Sequence, residues 1–138
     1  MTAKSIKSVH VPQSGYKGFC HKANDFYKVM KLSLDSGLWN GVGLNAVHCV
    51  ISLSDALTVY FLNKRFSGDD HRHASELLMQ VPNIGAKQYV NAFDKIISKK
   101  HMVAYEEREF RQSEALEIAK QTDRFFQWGM DQLPNKTT

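Results

Sequence analysis

The densest group of reactive side chains in this 138-residue sequence is the run from Arg65 to His73, which reads R-F-S-G-D-D-H-R-H. Arginine can hold a phosphate through two parallel hydrogen bonds, and histidine exchanges protons near neutral pH. These residue types suit the binding or cleavage of a phosphate ester. The candidate catalytic residues are Arg65, His71 and Arg72, and three neighbours are candidate ligand-binding residues: Asp69, Asp70 and His73.

The same run has three other interpretations. Histidines and carboxylates could bind a metal, but His71 and His73 are two residues apart and diverge on a helix, so we predict no metal and no other cofactor. Asp69 or Asp70 could instead cap the following helix and stabilise its N-terminus. The Gly68 loop, the helix N-terminus and the flanking arginines could also form an anion site.

A second polar set lies inside the most apolar stretch, Trp39 to Leu62, which contains no Lys, Arg or Glu. Helical spacing places four residues along one side of it: Asn45, His48, Ser52 and Asp55. Because buried polar groups need partners, we interpret these four as a structural hydrogen-bond network to the next helix. We predict that Asp55, the only acid in the stretch, is buried and paired with an arginine. Arg72 is the preferred partner and Arg65 the alternative.

Helical periodicity predicts the elements that hold these residues. Five helices are expected: one ending at Gly37, the apolar helix from Trp39 to Leu62, and three shorter or later ones around Ala74–Val81, Tyr89–Ile97 and Ser113–Leu133. No strand pattern separates them. The sequence therefore predicts an all-α, five-helix, roughly antiparallel up-and-down bundle with a central apolar helix. Residues 1–21 are expected to form an extended arm, 22–134 a single bundle and 135–138 a polar tail.

The amino-acid composition and net charge add modest constraints. Eighteen basic and 14 acidic residues give a net charge of +4, which is weak support for a nucleic-acid partner. The polar residues of the apolar helix are costly in lipid, so we predict no membrane association. Two cysteines and the lack of an apolar leader fit a reducing, cytoplasmic location. Apolar residues beyond the needs of five short helices suggest a homodimer: Trp39, Phe66 and Trp128.

The chain resembles the HEPN domain family in four stretches. Two come early, A-V-H-C-V-I-S-L-S-D-A-L and K-R-F-S-G-D-D-H-R-H-A, and two come late, K-K-H-M-V-A-Y-E-E-R-E-F and T-D-R-F-F-Q-W. The resemblance covers about residues 22–133. It implies a helical bundle that dimerises, and it implies a nucleotidyltransferase partner of the kind found in toxin–antitoxin pairs. It also implies either metal-independent RNase activity or inactive nucleotide or RNA binding.

Active HEPN proteins carry an arginine and, a few residues later, a histidine after the fourth helix. Lys100 and Tyr105 occupy that place here and are further candidate ligand-binding residues. Lysine lacks the two-pronged grip of arginine, and tyrosine, with a pKa of about 10, is a poor base at neutral pH. Arg65 and His71 have the family spacing, but one connection earlier.

We therefore expect a HEPN-like module that acts through dimerisation and through nucleotide, RNA or partner-protein binding, without robust nuclease activity. One alternative is a metal-independent, toxin-like RNase that uses Arg65, His71 and Arg72. The other is a structural adaptor bundle.

Overall fold

A computed structural model describes residues 6–134 of the chain, apart from the side chain of Arg72. The start of the predicted arm, residues 1–5, and the predicted polar tail, residues 135–138, lie outside the described residues. Helices make up 71% of the structure, so the predicted all-α class is confirmed. The elements are β1 (Ser8–His10), α1 (Tyr16–Asp35), α2 (Trp39–Leu62), β2 (Lys64–Phe66), α3 (Ala74–Leu78), α4 (Val90–Ile97), α5 (Lys100–Tyr105) and α6 (Gln112–Asp131), with short 3-10 helices at Gln13–Gly15, His71–His73 and Ala86–Gln88.

The first two long helices form an antiparallel hairpin. α1 ends just before Gly37, whose left-handed backbone (φ 71°) is readily adopted by glycine, as the sequence predicted. Ring contacts then join early residues of α1 to late residues of α2. Tyr16 lies edge-on to Tyr60 at 4.8 Å, and Phe26 lies against His48 at 5.4 Å between ring centroids. This pairing sets which face of α1 borders α2.

α2 is the central helix, as predicted, because every other helix of the described chain contacts it. Its largest fully buried side chains are Val42, Val47, Val50, Leu53, Leu57 and Val59. By length and composition alone α2 could cross a membrane, yet 72% of its most apolar segment is buried inside the molecule. Its narrow exposed side is where functional side chains can reach solvent.

Two of the three aromatic residues that suggested a homodimer, Phe66 and Trp128, are buried within the chain. Trp128 and Phe66 are only 8% and 5% exposed, because neighbouring elements of the same chain cover them. The indole N–H of Trp128 donates to the carbonyl of Ile84 at 2.8 Å, and its ring stacks on Tyr89. Trp39 is half-buried. Phe66 and Trp128 belong to the core, so they do not support a homodimer, which stays a prediction.

The prediction of an extended arm over residues 1–21 is wrong from Gln13 onwards, where a 3-10 helix begins and α1 follows, whereas residues 8–10 form an extended strand. α1 begins at Tyr16, so residues 16–21 are helical, and β1 pairs antiparallel with β2 with Val9 opposite Arg65. Three-residue strands are too short to show an alternating pattern, which is why the sequence did not reveal them. Tyr16 is buried against Tyr60, and such tertiary contacts extend α1 beyond its own periodicity. The strand pair fixes the position of Arg65.

The segment before α4 also differs from expectation. α3 begins at Ala74 with no side-chain cap, because a 3-10 helix separates it from Asp69 and Asp70. Asp70 directly precedes this 3-10 helix, so a cap by Asp69 or Asp70 at the start of the whole helical run stays a prediction. α3 also has only five residues, which removes the basis for an anion site at its N-terminus.

α5 interrupts the connection that was predicted to be solvated between the fourth and last helices. Residues 106–109 are exposed as expected, but α5 precedes them and packs on α2. The contact is close at Gly43, where a Cβ atom would come within 2.7 Å of Val103 on α5. This packing brings Lys100, the first residue of α5, towards the exposed side of α2.

Candidate functional site

Lys100 and His71 meet although 29 residues separate them in the sequence. The Lys100 Nζ lies 3.4 Å from the His71 Nδ1. An ammonium group has only donors, so it donates to Nδ1, and the proton of the neutral imidazole is then on Nε2. The sequence presented the pairs Arg65–His71 and Lys100–Tyr105 as alternative sites. The structure joins one member of each.

Arg65 reaches the same region from β2. Its Nη1 lies 3.9 Å from Oδ2 of Asp55, and its guanidinium group lies over the ring of Phe19 at 5.7 Å. Lys22, one turn beyond Phe19 on α1, places its ammonium group over that ring at 5.9 Å. Two cations from different elements therefore share one aromatic ring beside a single carboxylate.

His48 joins this group from the exposed side of α2. Its ring is tilted by 36° against that of Phe26, with the centroids 5.4 Å apart. The charge of Lys100 lowers the pKa of both His48 and His71, and His48 also lowers the pKa of His71. We call the five residues that meet here the basic cluster: Lys22, His48, Arg65, His71 and Lys100.

Both histidines of the basic cluster are held in their neutral form. Burial and the charge of Lys100 lower the pKa of His48. Burial lowers the pKa of His71 as well, and the charges of Lys100 and Arg65 lower it further, against the opposite effect of Asp70. A bound anion would reverse the electrostatic part of these shifts, because a negative charge favours the protonated imidazole.

Asp55 is the carboxylate beneath the cluster. Its side chain is 13% exposed, and burial raises its pKa to about 7 despite the opposing charges of Arg65 and Lys22. Asp55 was predicted to be buried and paired with an arginine; it is mostly buried, and the described arginine beside it is Arg65, the alternative partner. The preferred partner, Arg72, has a side chain outside the described part of the structure.

A cleft of about 470 Å³ opens beside His71 and Lys100. The other residues that line it are Asp69, Asp70, Ile97, Ser98 and His101. Asp70 also lies near His73, with its Oδ2 4.0 Å from the Nε2 of that ring. The cleft thus offers positive donors and carboxylate acceptors together. A nucleotide carries an anionic phosphate and hydroxyl donors, so it matches both signs.

Two predicted site residues lie apart from the basic cluster. Tyr105 is 74% exposed and contacts His101 rather than His71. His73 points towards Glu76, with its Nδ1 3.5 Å from a carboxylate oxygen. Tyr105 is five residues after Lys100, and His73 is two residues after His71. At these spacings helical side chains face different directions, which explains both placements.

The predicted structural network on α2 is not formed by hydrogen bonds among its own four residues, and its link to Arg72 stays a prediction. Asn45 donates to the carbonyl of Gly41 within its own helix at 2.8 Å. Among the described side chains, no hydrogen bond links Asn45, His48, Ser52 and Asp55 to one another. His48 is exposed and needs no internal partner, and Ser52 is buried. Of these four residues, His48 belongs to the basic cluster and Asp55 lies beneath it.

Metal binding finds no support among the residues that the structure describes, where no group of three or more His, Cys, Asp or Glu could hold an ion. His71 and His73 diverge, as the sequence suggested.

Sequence reasoning missed the contribution of α1. Three residues of α1 recur at the spacing of one helical face: Phe19, Lys22 and Phe26. Lys22 belongs to the basic cluster, and the two phenylalanine rings border it. The prediction of an extended arm up to residue 21 placed Phe19 outside any helix. Continuing the helical pattern through Gly18 would have revealed the face.

Comparison with protein-family models, curated proteins and solved structures finds no match to this chain.

Proposed function

We propose that this protein binds a phosphate-bearing ligand, a nucleotide or RNA, at the basic cluster. The contact of Lys100 with His71, close to Arg65, is the observation that supports the proposal most directly. Five elements of the chain each contribute one cation or imidazole to one surface region: α1, α2, β2, the 3-10 helix His71–His73 and α5. A phosphate group accepts several hydrogen bonds from such donors at once.

The charge balance supports binding over a purely architectural role. Like charges held together destabilise a fold unless carboxylates or a ligand offset them. The main carboxylate beneath the cluster, Asp55, lies at the long distance of 3.9 Å from Arg65 and has a pKa of about 7, so it offsets the cations only in part. An anionic ligand would complete the neutralisation. A structural adaptor bundle gains nothing from this arrangement.

The experiment compares RNA binding of single variants by fluorescence anisotropy with a short, labelled single-stranded RNA. Arg65→Ala, His71→Ala and Lys100→Ala should each weaken binding about tenfold or more, because a hydrogen bond to a charged group contributes about 1.5–3 kcal/mol. Lys120→Ala removes the same charge as Lys100→Ala from an exposed position on α6 and should have little effect. Tyr105→Phe should also bind like the wild type.

Two results would overturn the proposal. One is a wild-type protein that binds neither RNA nor a mononucleotide. The other is equal loss of affinity in Lys120→Ala and Lys100→Ala, which would indicate diffuse attraction to a mildly basic surface. Thermal unfolding of every variant separates loss of binding from loss of fold.

A second candidate function is metal-independent RNA cleavage, which the two imidazoles of the basic cluster favour. The ribose 2′-oxygen would attack the adjacent phosphorus after giving its proton to one imidazole, and the 5′-oxygen would leave with a proton from the other. Burial and Lys100 lower the pKa of both His48 and His71, which depletes the protonated acid at neutral pH. Binding is therefore the better supported function.

An RNA cleavage assay in EDTA tests this second candidate. Product formed by the wild type and lost in His71→Ala would establish the nuclease, and the alternative assignment of Arg72 as a phosphate ligand predicts the same loss in Arg72→Ala. Absence of product in the wild type would reject cleavage and leave the binding proposal intact.

The HEPN-type interpretation belongs to this proposal, together with a homodimer and a nucleotidyltransferase partner. Light scattering at micromolar concentration tests the homodimer, and a monomer would reject it. Co-purification with a nucleotidyltransferase encoded beside this gene tests the partner. The RNA-binding experiment does not depend on either result.

A further inference from the structure

Phe26 and His48 form an aromatic surface beside the basic cluster. Their centroids lie 5.4 Å apart across the junction of α1 and α2. His48 is exposed and Phe26 half-buried, so part of the pair faces solvent. The charge of Lys100 reaches His48, which places this aromatic surface next to the phosphate-binding residues proposed above.

Other ring pairs in the described chain are less suited to a ligand. Phe93 and Phe125 are fully buried, and Trp128 stacks on Tyr89 within the core. The His101–Tyr105 pair on α5 is exposed, but a carboxylate oxygen of Glu106 lies 3.8 Å from the His101 Nε2. A negative charge at that place repels a polyanion.

We infer that Phe26 and His48 form a stacking platform for a nucleobase, so that the ligand of the basic cluster is a single-stranded nucleic acid and not a free phosphate. This inference rests on the proposed function and adds the part of the ligand that the cations do not recognise. Aromatic side chains and histidine stack on unpaired bases, whereas the bases of a duplex are already stacked on one another.

Different residues of the site are suited to the phosphate and to the base of the ligand. Arg65, His71 and Lys100 supply donors for the backbone phosphate, and Lys22 lies along α1 on the same side as Phe26. Stacking on an apolar ring tolerates any base, because every base has a flat face. Preference between bases is therefore expected to be small.

The test compares two probes and three variants. The probes are a short single-stranded RNA and tripolyphosphate, which has phosphates but no bases, each measured by titration calorimetry. Phe26→Leu removes the ring and should weaken RNA binding at least about fivefold while leaving tripolyphosphate binding unchanged. Phe26→Tyr keeps a ring and should bind RNA like the wild type. Leu32→Ala, at a 64% exposed position on α1, is the matched control.

Several outcomes would overturn the inference while the proposed function stands. One is wild-type RNA affinity in Phe26→Leu. Another is equal loss of RNA and tripolyphosphate binding in that variant, since the ring would then act through the cations and not on a base. A third is tighter binding of a duplex than of the single strand. If the wild type binds neither probe, the proposed function fails and this inference fails with it.

Discussion

The carboxylate of Asp55 lies 3.9 Å from the guanidinium group of Arg65, and this contact links α2 to the strand pair. Arg65 thereby serves two roles, as a neighbour of an internal carboxylate and as a proposed phosphate ligand. The two roles compete, because an arginine neutralised by Asp55 attracts phosphate less strongly. The ionisation of Asp55 should therefore affect both the stability of the fold and its affinity for anions.

Asp55→Asn should be more stable than the wild type at alkaline pH, and this advantage should shrink at acidic pH. Burial raises the pKa of Asp55 from 3.8 to about 7, so the folded state holds a proton that the unfolded state releases between these values. The wild type consequently loses stability as the pH rises through that window, by an amount on the order of 4 kcal/mol. Urea unfolding at about pH 4 and pH 8 measures the difference.

Asp25→Asn, at an exposed position on α1, is the control for this measurement. It should show the same pH dependence as the wild type. Parallel stability curves for Asp55→Asn and the wild type would contradict the assignment of the transition to Asp55.

RNA affinity should increase as the pH falls from about 8 to about 6. A bound phosphate raises the lowered pKa of His48 and His71, so binding takes up protons. Protonation of Asp55 near pH 7 also frees Arg65. Asp55→Asn should bind more tightly than the wild type above pH 7 and with a weaker pH dependence. Affinity that stays constant or rises with pH would be incompatible with this coupling.

Gly43→Ala should destabilise the protein by about 1–3 kcal/mol, because the added Cβ would come within 2.7 Å of Val103 and Phe110. Gly18→Ala on α1 is the matched control. Its Cβ would meet no atom within 4 Å, and alanine favours the helix, so a gain of up to about 1 kcal/mol is expected. Urea unfolding measures both. Equal effects in the two variants would show that α5 does not pack closely on α2.

Trp128→Phe should lower the free energy of unfolding by about 1–3 kcal/mol. The substitution removes the indole N–H that donates to the buried carbonyl of Ile84 at 2.8 Å, and it leaves that carbonyl without its partner. Trp39→Phe is the comparison, since Trp39 is half-buried and its indole makes no hydrogen bond within residues 6–134. A similar loss in both variants would mean that ring size, and not the hydrogen bond, determines the effect.

Sequence patterns determined the long helices well, because one helical turn relates residues that are close in the chain. α2 follows from a stretch without Lys, Arg or Glu, and α6 from a repeating apolar face that ends near Pro134. Gly37 ended α1 as expected, since the left-handed backbone there favours glycine. The interpretation of Asp55 as a buried acid beside an arginine also came from local composition.

Tertiary structure decided the rest. β1 and β2 are too short to carry a pattern of their own, and each exists because the other lies beside it. Periodicity gives the angle of a residue around its own helix, but not which face of another helix it meets. Lys100 and His71 therefore looked like members of rival sites until the packing of α5 on α2 placed them 3.4 Å apart. The basic cluster forms through contacts between residues distant in sequence, which only the folded chain brings together.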